Sequence, residues 1–568
     1  MKIWFLVSFI YLILGSSLGY GQGRILLIWK VGSNTPVANG EKVFSTLSQK
    51  ESFVDSLKNV LINDGFLEVD LAEELVTQDS VKLLINPGRR YFWKKIVSEN
   101  IPFNIQEKLS PMKGNYGLLS SWMKQVVLEA ENQGYPFAQI RLGNIEKEGD
   151  SIGTKLIFDA GPLISWDSLE LIGNTKTQEK YLQKIVGLQP GTPFSQKELN
   201  RTSVQLKRSP YFSLVGEPNV SFQIKTAKPS FQLRDRNSNV LNGIIGLLPN
   251  ENQPGKMLIS GQLDLELYHL GGKGRDISLH WQRLNIQTQS LDLTVKESFL
   301  FNSPLDLKVG FNLLKQDTTF LNRFFSLDFG YRISDSGYLS FFGKRQSGDL
   351  ISTFSFRDNR SLPNAADYRW NQYGIHYEIN LLDDLFFPRR GWLIQSEFAA
   401  GNKKILKNTG IPDEAYSNLN LNTAQYLGQL IVERHLFIRS NFGIWVKGSG
   451  GFMRNENLFL NDLFRLGGLK SIRGFNENFF YARSYVYINI EQRLFFDQSS
   501  FLMIFVDGGT LENPYFAKTI DYPVSFGAGL NLETGSGIFR FIYGVGKSNL
   551  QPLEFSYSRI HFGYLARF

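Results

Sequence analysis

Five histidines, no cysteine and a scatter of carboxylates are what this 568-residue chain offers for covalent or metal chemistry. His269, His280, His376, His435 and His561 lie far apart, and none forms the His-Glu-x-x-His pair that presents two imidazoles from one helix face. A lone histidine on a strand is ordinarily structural. Without cysteine there are no disulfides, thiolate metal ligands or lipid-modified cysteine. Gly271-Gly272-Lys273-Gly274-Arg275 lacks the phosphate-loop spacing and suits a turn between strands. No Gly-x-Ser-x-Gly elbow occurs. Carboxylates are numerous, but no spacing pairs two of them for acid/base work. No enzyme activity, catalytic residue, cofactor or metal is expected. The net charge of +8 is spread without a Lys/Arg stripe, so it reads as solvated surface and nucleic acid is not an expected partner.

The elements that would position any functional side chain begin with an export signal. Lys2 precedes an apolar run, Ile3–Leu18, and the small residues Gly19 and Gly21 follow, so 1–21 reads as a signal peptide. No later apolar run is long enough for a membrane helix. The full chain has 20% charged and 14% aromatic residues, with 46 Phe and 52 Gly. That balance suits strands that are apolar on one face only, as in a membrane barrel.

Residues 24–236 repeat a pattern of strand, helix and two strands. The first unit has strand-like Arg24–Val31, a helix over Lys50–Asp64 with Val54, Leu57 and Leu61 at helical spacing, then strands at Leu67–Leu75 and Ser80–Asn86. The second has a strand at Tyr91–Val97, a helix at Leu118–Asn132, and strands at Phe137–Ile145 and Thr154–Asp159. The third has a strand at Ser165–Ile172, helices at Thr177–Val186 and Ser195–Lys207, and strands at Leu214–Ile224 and Ser230–Arg234. Asn86-Pro87-Gly88 and Ala160-Gly161-Pro162 punctuate the units, which predicts modules over 22–86, 87–160 and 161–236.

From about Asn237 helical patterns vanish. Ten-residue segments of alternating polarity follow, separated by Gly, Asn, Asp and Pro clusters. In Ser484–Leu494, Val486, Ile488, Ile490 and Leu494 share one face, while Tyr485, Tyr487, Asn489, Glu491 and Arg493 share the other. Sixteen strands are predicted over 237–568, with the boundaries near 349–370 unfixed. In Tyr557–Phe568, the residues Ile560, Phe562, Tyr564, Ala566 and Phe568 share a face, and ending the chain inside a strand lets the sheet close on the first. The fold expected is α+β modules followed by a 16-stranded antiparallel transmembrane β-barrel.

Gly467-Gly468-Leu469-Lys470-Ser471-Ile472-Arg473-Gly474-Phe475 resembles the [VI]RG[FY] loop of the outer-membrane insertase superfamily, the BamA/TamA-like or bacterial surface antigen family. It falls between the eleventh and twelfth predicted strands, where that family has its long sixth extracellular loop. Phe505-Val506-Asp507-Gly508-Gly509 resembles the family's FxDxG strand. Phe526-Gly527-Ala528-Gly529-Leu530 with Gly535-Ser536-Gly537-Ile538-Phe539-Arg540-Phe541 resembles its closing hairpin, and Phe387-Pro388-Arg389-Arg390-Gly391-Trp392 its FPxRG turn. The resemblance implies that the modules are POTRA domains, and the module count and length resemble the TamA branch most.

The resemblance further implies that Ile472, Arg473, Gly474 and Phe475 fold back into the lumen, where Arg473 meets Asp507 and Glu491. An Arg inside a barrel is costly unless paired, and a guanidinium fork fixes orientation as well as position. It also implies a lateral seam between the first strand, about Asn237–Pro249, and the last, Tyr557–Phe568. Gly243 and Gly246 in the first strand would weaken that seam, although ordinary barrel curvature explains them as well. The function implied is outer-membrane protein assembly or translocation. Unfolded outer-membrane or secreted proteins would be the substrates, the bilayer the surroundings, and a periplasmic or inner-membrane protein the partner. A two-partner-secretion-type transporter, a passive channel and a surface adhesin, with loops such as Lys403–Asn418, are the alternatives. No room is left after the signal for the secretion branch's plug helix.

Overall fold

The computed structural model describes residues 25–32, 35–77, 80–99, 116–207, 209–249, 257–283, 287–334, 336–354, 361–384, 387–439, 441–497, 499–534 and 537–568. The predicted signal peptide, 1–21, lies outside the described residues. The chain divides into two compact units, one of residues 1–168, 189–199 and 221–228, the other of 169–188, 200–220 and 229–568.

In the first unit, strands Ile25–Val31, Gly40–Phe44, Asp70–Thr77 and Ser80–Asn86 form a sheet in which Ile25–Val31 runs parallel to Ser80–Asn86 and antiparallel to Gly40–Phe44. Helix α1 (Leu47–Asn63) lays Val54, Leu57 and Leu61 on this sheet against Leu27, Leu83 and Ile85. Its start is set locally: the Thr46 hydroxyl accepts from Gln49 N at 3.3 Å, and the Gln49 amide oxygen accepts from Ser45 N at 3.2 Å. Thr46→Ala is expected to cost about 1 kcal/mol. Limited proteolysis of the full-length protein should then cut within Leu47–Asn63 a few-fold faster, and an unchanged rate would show that packing alone holds the helix. Gly40–Phe44 was not foreseen. It is an edge strand without apolar alternation, and Val43 on it is 53% exposed.

The second sheet joins Phe92–Glu99, Ser151–Asp159 and Gln139–Glu148, the first pair parallel and the second antiparallel. Helix α2 (Tyr116–Glu131) seals it with Leu119, Trp122, Val126 and Ala130 against Ile152, Leu156 and Phe158.

In the third sheet two expected strands are each broken. Ser165–Ile172 splits into Ser165–Trp166 and Glu170–Ile172, both parallel to Thr226–Asp235. The Asp167 carboxylate accepts from Ser168 N at 2.7 Å, a local turn that interrupts the ladder. Leu214–Ile224 splits into Phe212–Leu214 and Asn219–Gln223, because Gly216 (φ +76°) and Pro218 turn the chain. Helices α3 (Glu179–Val186) and α4 (Gln196–Lys207) accompany this sheet.

The second unit is dominated by a closed antiparallel barrel of sixteen strands. They are β1 (Val240–Pro249), β2 (Met257–Leu270), β3 (Arg275–Arg283), β4 (Gln289–Glu297), β5 (Leu305–Gln316), β6 (Phe320–Arg332), β7 (Gly337–Leu350) and β8 (Tyr368–Asn380). The remainder are β9 (Gly391–Ile405), β10 (Asn422–Arg439), β11 (Phe442–Arg454), β12 (Ser484–Phe495), β13 (Phe501–Glu512), β14 (Val524–Thr534), β15 (Gly537–Lys547) and β16 (Arg559–Arg567). A short piece, Ile520–Asp521, extends the β13–β14 hairpin. Alternation decides which side chains face in. Along β12, Val486, Ile488 and Ile490 are exposed on the outer wall, whereas Tyr485, Tyr487 and Glu491 are buried.

The expected loop Lys403–Asn418 is corrected at its start. β9 runs on to Ile405, so Lys403 is a strand residue facing inward and fully buried. Its ammonium is ion-paired with Asp462, donates to Asn457 O at 2.9 Å, and sits 4.6 Å from the Tyr368 ring centroid. A lysine in that position needs such partners, because an isolated buried charge is too costly.

Candidate functional site: the inward-folded loop and the barrel seam

The long connection between β11 and β12 does not stand away from the barrel. Phe464–Leu466 and Phe480–Ala482 pair as a small hairpin at its base. Its tip packs Leu466, Ile472, Phe475 and Phe480 against Tyr485, Tyr487 and Leu511 of the inner wall, and Ile472 and Phe475 are fully buried. The turn is shaped locally: Gly467 N donates to the Ser471 hydroxyl at 2.7 Å, and Leu469 N donates to the Glu477 carboxylate at 2.9 Å. Burial pushes the Glu477 carboxyl up, against that N–H and Lys470.

Alternation and register supply the acidic side of the site. Asp507 on β13 stands opposite Asn489, and Glu491 on β12 stands opposite Phe505, so the two carboxylates are diagonal neighbours on the inner face. Arg473 reaches both. Its Nε donates to Asp507 Oδ2 at 2.8 Å and its Nη2 to Oδ1 at 2.6 Å, a two-pronged pair, while Nη1 donates to Glu491. Its backbone N–H also donates to Asp507 Oδ2, at 2.9 Å. The guanidinium lies 3.9 Å from the Phe505 ring centroid. Burial alone would push the Arg473 guanidinium down. Asp507 and Glu491 outweigh burial and hold it above its ordinary value.

Gly474 has φ +80°, and a Cβ there would lie 2.9 Å from the Val545 carbonyl carbon and 3.1 Å from Gly546 N. Gly474→Ala is therefore expected to cost about 1–3 kcal/mol, by strain or by lifting the loop off β15. A lowered unfolding temperature of the barrel, read as its shift on heat-modifiable gels, checks this; an unchanged midpoint would mean the loop tolerates the turn being reshaped.

Sequence reasoning did not foresee four further contributors, Arg493, Asn489, Asp462 and Asn461. Arg493 donates to the second oxygen of Glu491, Nε to Oε2 at 2.7 Å; its place two residues along the same polar face was the available signal. The Asn489 amide holds Ser471 O at 2.7 Å. The far limb of the loop is fixed by Asp462 to Lys403 and by Asn461, whose carbonyl accepts from Asn322 Nδ2 at 2.7 Å. No spacing signal joins residues so distant in sequence.

The strands at the seam are bound unequally. β9 and β10 run in register from Gly391↔His435 to Lys404↔Asn422. Among the described residues, β1 and β16 share Val240↔Arg567, Leu241↔Ala566 and Asn242↔Leu565 and no other register pair. Phe568 N adds one bond to Asn239 O at 3.2 Å. Beyond Asn242, β1 pairs among the described residues with β2 alone, and this is where Gly243 and Gly246 lie, opposite Leu263 and Ser260. Tyr564 pairs with Phe539 of β15. Inside the seam a cavity of about 520 Å³ is lined by Asn242, Glu266, Arg540, His561 and Tyr564 among others.

Comparison with known proteins agrees with this arrangement. The Omp85 superfamily domain matches residues 270–568, more than half of the chain, and the POTRA model, a surface antigen variable number repeat, matches 165–239. The outer membrane protein assembly factor BamA of Neisseria meningitidis serogroup B is 22% identical over 198 residues, 33% of this chain and 25% of that protein. The aligned part thus spans a quarter of that relative. Among solved structures, CdiB from Acinetobacter baumannii has a TM-score of 0.53 at 12% identity, covering 92% of this chain and 97% of that one. CdiB from Escherichia coli has a TM-score of 0.54 at 11% identity, with the same coverage. The Omp85 superfamily is a family of assembly and transport factors, not of enzymes. With its motif loop folded into a sixteen-stranded barrel and a POTRA region ahead of it, the chain belongs to the Omp85 superfamily and sits in the outer membrane with its POTRA region in the periplasm.

Proposed function

We propose that the protein is an outer-membrane assembly or translocation factor, in which POTRA modules over 22–86, 87–160 and 161–236 receive unfolded outer-membrane or secreted proteins and the barrel over 237–568 inserts or translocates them. The observation that carries this reading is the weak closure of the barrel, three register pairs between β1 and β16, beside a loop fixed within the lumen. A closed porin has no use for a seam so poorly paired. The modules present unpaired strand edges, Gly40–Phe44, Asp70–Thr77 and Gln139–Glu148, each paired on one side only among the described residues. Such edges take up an extended segment by β-augmentation. Folding and burial of the client supply the driving force. The placement nearer the TamA branch rests on module count and length.

A two-partner-secretion-type transporter is the second reading, favoured by the CdiB-like fold. Depletion of the protein, followed by quantification of the outer-membrane and secreted proteomes, separates the readings. Loss of several barrel proteins supports assembly, and loss of one secreted protein with an intact outer membrane supports secretion. An unchanged proteome with altered small-solute permeability would leave a passive channel.

A further inference from the structure

The outer wall of β6–β11 carries a pattern that loop, lumen and seam do not use. Strand register arranges its outward side chains in rows. A row near the extracellular ends is Arg323, Ser347, Arg369, Lys404 and Asn422, on β6 to β10 in turn. Two residues along each strand, about 7 Å lower, the next row places Arg345 beside Asn371 and Asn402. The third row is Gly343, Tyr373, Ala400, Tyr426 and Arg454, on β7 to β11. The fourth is apolar, with Ile375, Phe398, Gly428 and Phe452.

Small residues among large ones leave a groove of about 660 Å³, walled by Tyr373, Phe398, Tyr426 and Phe452 and ending at Arg454. Tyr373 is 72% exposed, so the aromatic wall faces the membrane and not the core. Above the groove the charges are one-sided. Asp349 binds both Arg323 (2.6 Å) and Arg369 (2.7 Å). Arg345, Lys404 and Arg454 are exposed and have no ion-pair partner among the described residues.

Two free cations, Arg345 and Lys404, in the rows above an apolar groove, and a third, Arg454, at its end, call for an amphiphile with a matching arrangement. We infer that this face binds a phosphorylated, acylated lipid of the outer leaflet, its phosphates against Arg345 and Lys404 above the groove and Arg454 at its end, with an acyl chain in the groove over Ala400. Arginine and lysine are suited to phosphate, the former through paired N–H donors. A neutral lipid would fill the groove equally well but leave the cations unmatched.

The test uses the full chain in nanodiscs of phosphatidylethanolamine containing diphosphoryl lipid A, with lipid retention read by native mass spectrometry after transfer to detergent. The wild type should retain lipid A over phosphatidylethanolamine. R345Q/K404Q/R454Q should lose retention by about fivefold per cation removed. Ala400→Trp, which fills the groove while leaving every charge, should also lose it. Arg434→Gln, on the outer face toward the other end of β10, should retain it. Heat-modifiable mobility verifies that each variant is a folded barrel, and the two designs fail independently. Equal retention by all variants, or equal retention of a dephosphorylated lipid A, would overturn the inference.

Discussion

Replacing Arg473 with alanine is expected to destabilise the folded loop by about 3–5 kcal/mol, since removal of one partner leaves a buried charge uncompensated. The two carboxylates do not suffer alike. Glu491 keeps Arg493, whose Nη2 lies 2.6 Å from Oε2. Asp507 is fully buried and, among the described residues, keeps only the backbone N–H of residue 473, at 2.9 Å. The penalty therefore sits on Asp507, and an order follows: Arg473→Ala should lower the unfolding temperature of the barrel most, Asp507→Asn less, and Glu491→Gln least. Arg473→Lys should recover part of the stability, because one ammonium supplies charge but cannot bridge both carboxylates with fixed geometry. Combining Arg473→Ala with Asp507→Asn should restore stability beyond the sum of the single losses, the mark of a coupled pair. Client assembly should stay defective in that double variant if the loop's orientation matters. An unchanged midpoint in Arg473→Ala would show that Lys403–Asp462 and the apolar packing of Ile472 and Phe475 hold the loop unaided.

Joining the seam covalently should abolish the proposed assembly activity while sparing the barrel. Leu241 and Ala566 are register partners across β1 and β16. Opposed strand positions place Cβ atoms within reach of a disulfide. The chain has no cysteine of its own, so Leu241→Cys with Ala566→Cys can form one intramolecular disulfide, the intended one, and non-reducing gels separate it from any dimer. Cells carrying the oxidised pair should show client loss as deep as depletion, each single cysteine should behave as wild type, and a reductant should restore function. Three register pairs hold this seam, so the crosslink adds much where little existed. Elsewhere, as between β9 and β10, an equivalent link should be silent. Full activity of the oxidised pair would mean that clients do not pass between these strands.

Much of this was open to reading along the chain. A polarity period of two residues makes Val486, Ile488 and Ile490 face lipid and Glu491 face the lumen whatever the rest of the fold, because successive strand side chains must alternate. The helical spacing of Val54, Leu57 and Leu61, and the turn at Asp64-Gly65, fixed α1 to within a few residues. The loop motif was visible as a run of residue types between the eleventh and twelfth strands. Where expectation failed, local signals were weak or overridden. Gly40–Phe44 is a strand only because Ile25–Val31 offers it a ladder. Lys403 resembles loop composition, but its strand continues, and a partner 59 residues away makes its burial tolerable.

What the sequence determined by itself was periodicity: which segments are strands, which face of each is apolar, and that sixteen of them form a membrane sheet. Those follow from backbone geometry and side-chain polarity, both local properties. What only the tertiary structure decided were meetings between distant residues. Arg473 binds Asp507 because the loop turns inward and the register of β12 and β13 sets two carboxylates diagonally. Arg345, Lys404 and Arg454 gather around one groove because the four pairings from β7 to β11 align them. The seam is short because β1 and β16 share three positions. Register is a property of pairs of strands, and it is invisible in any one of them.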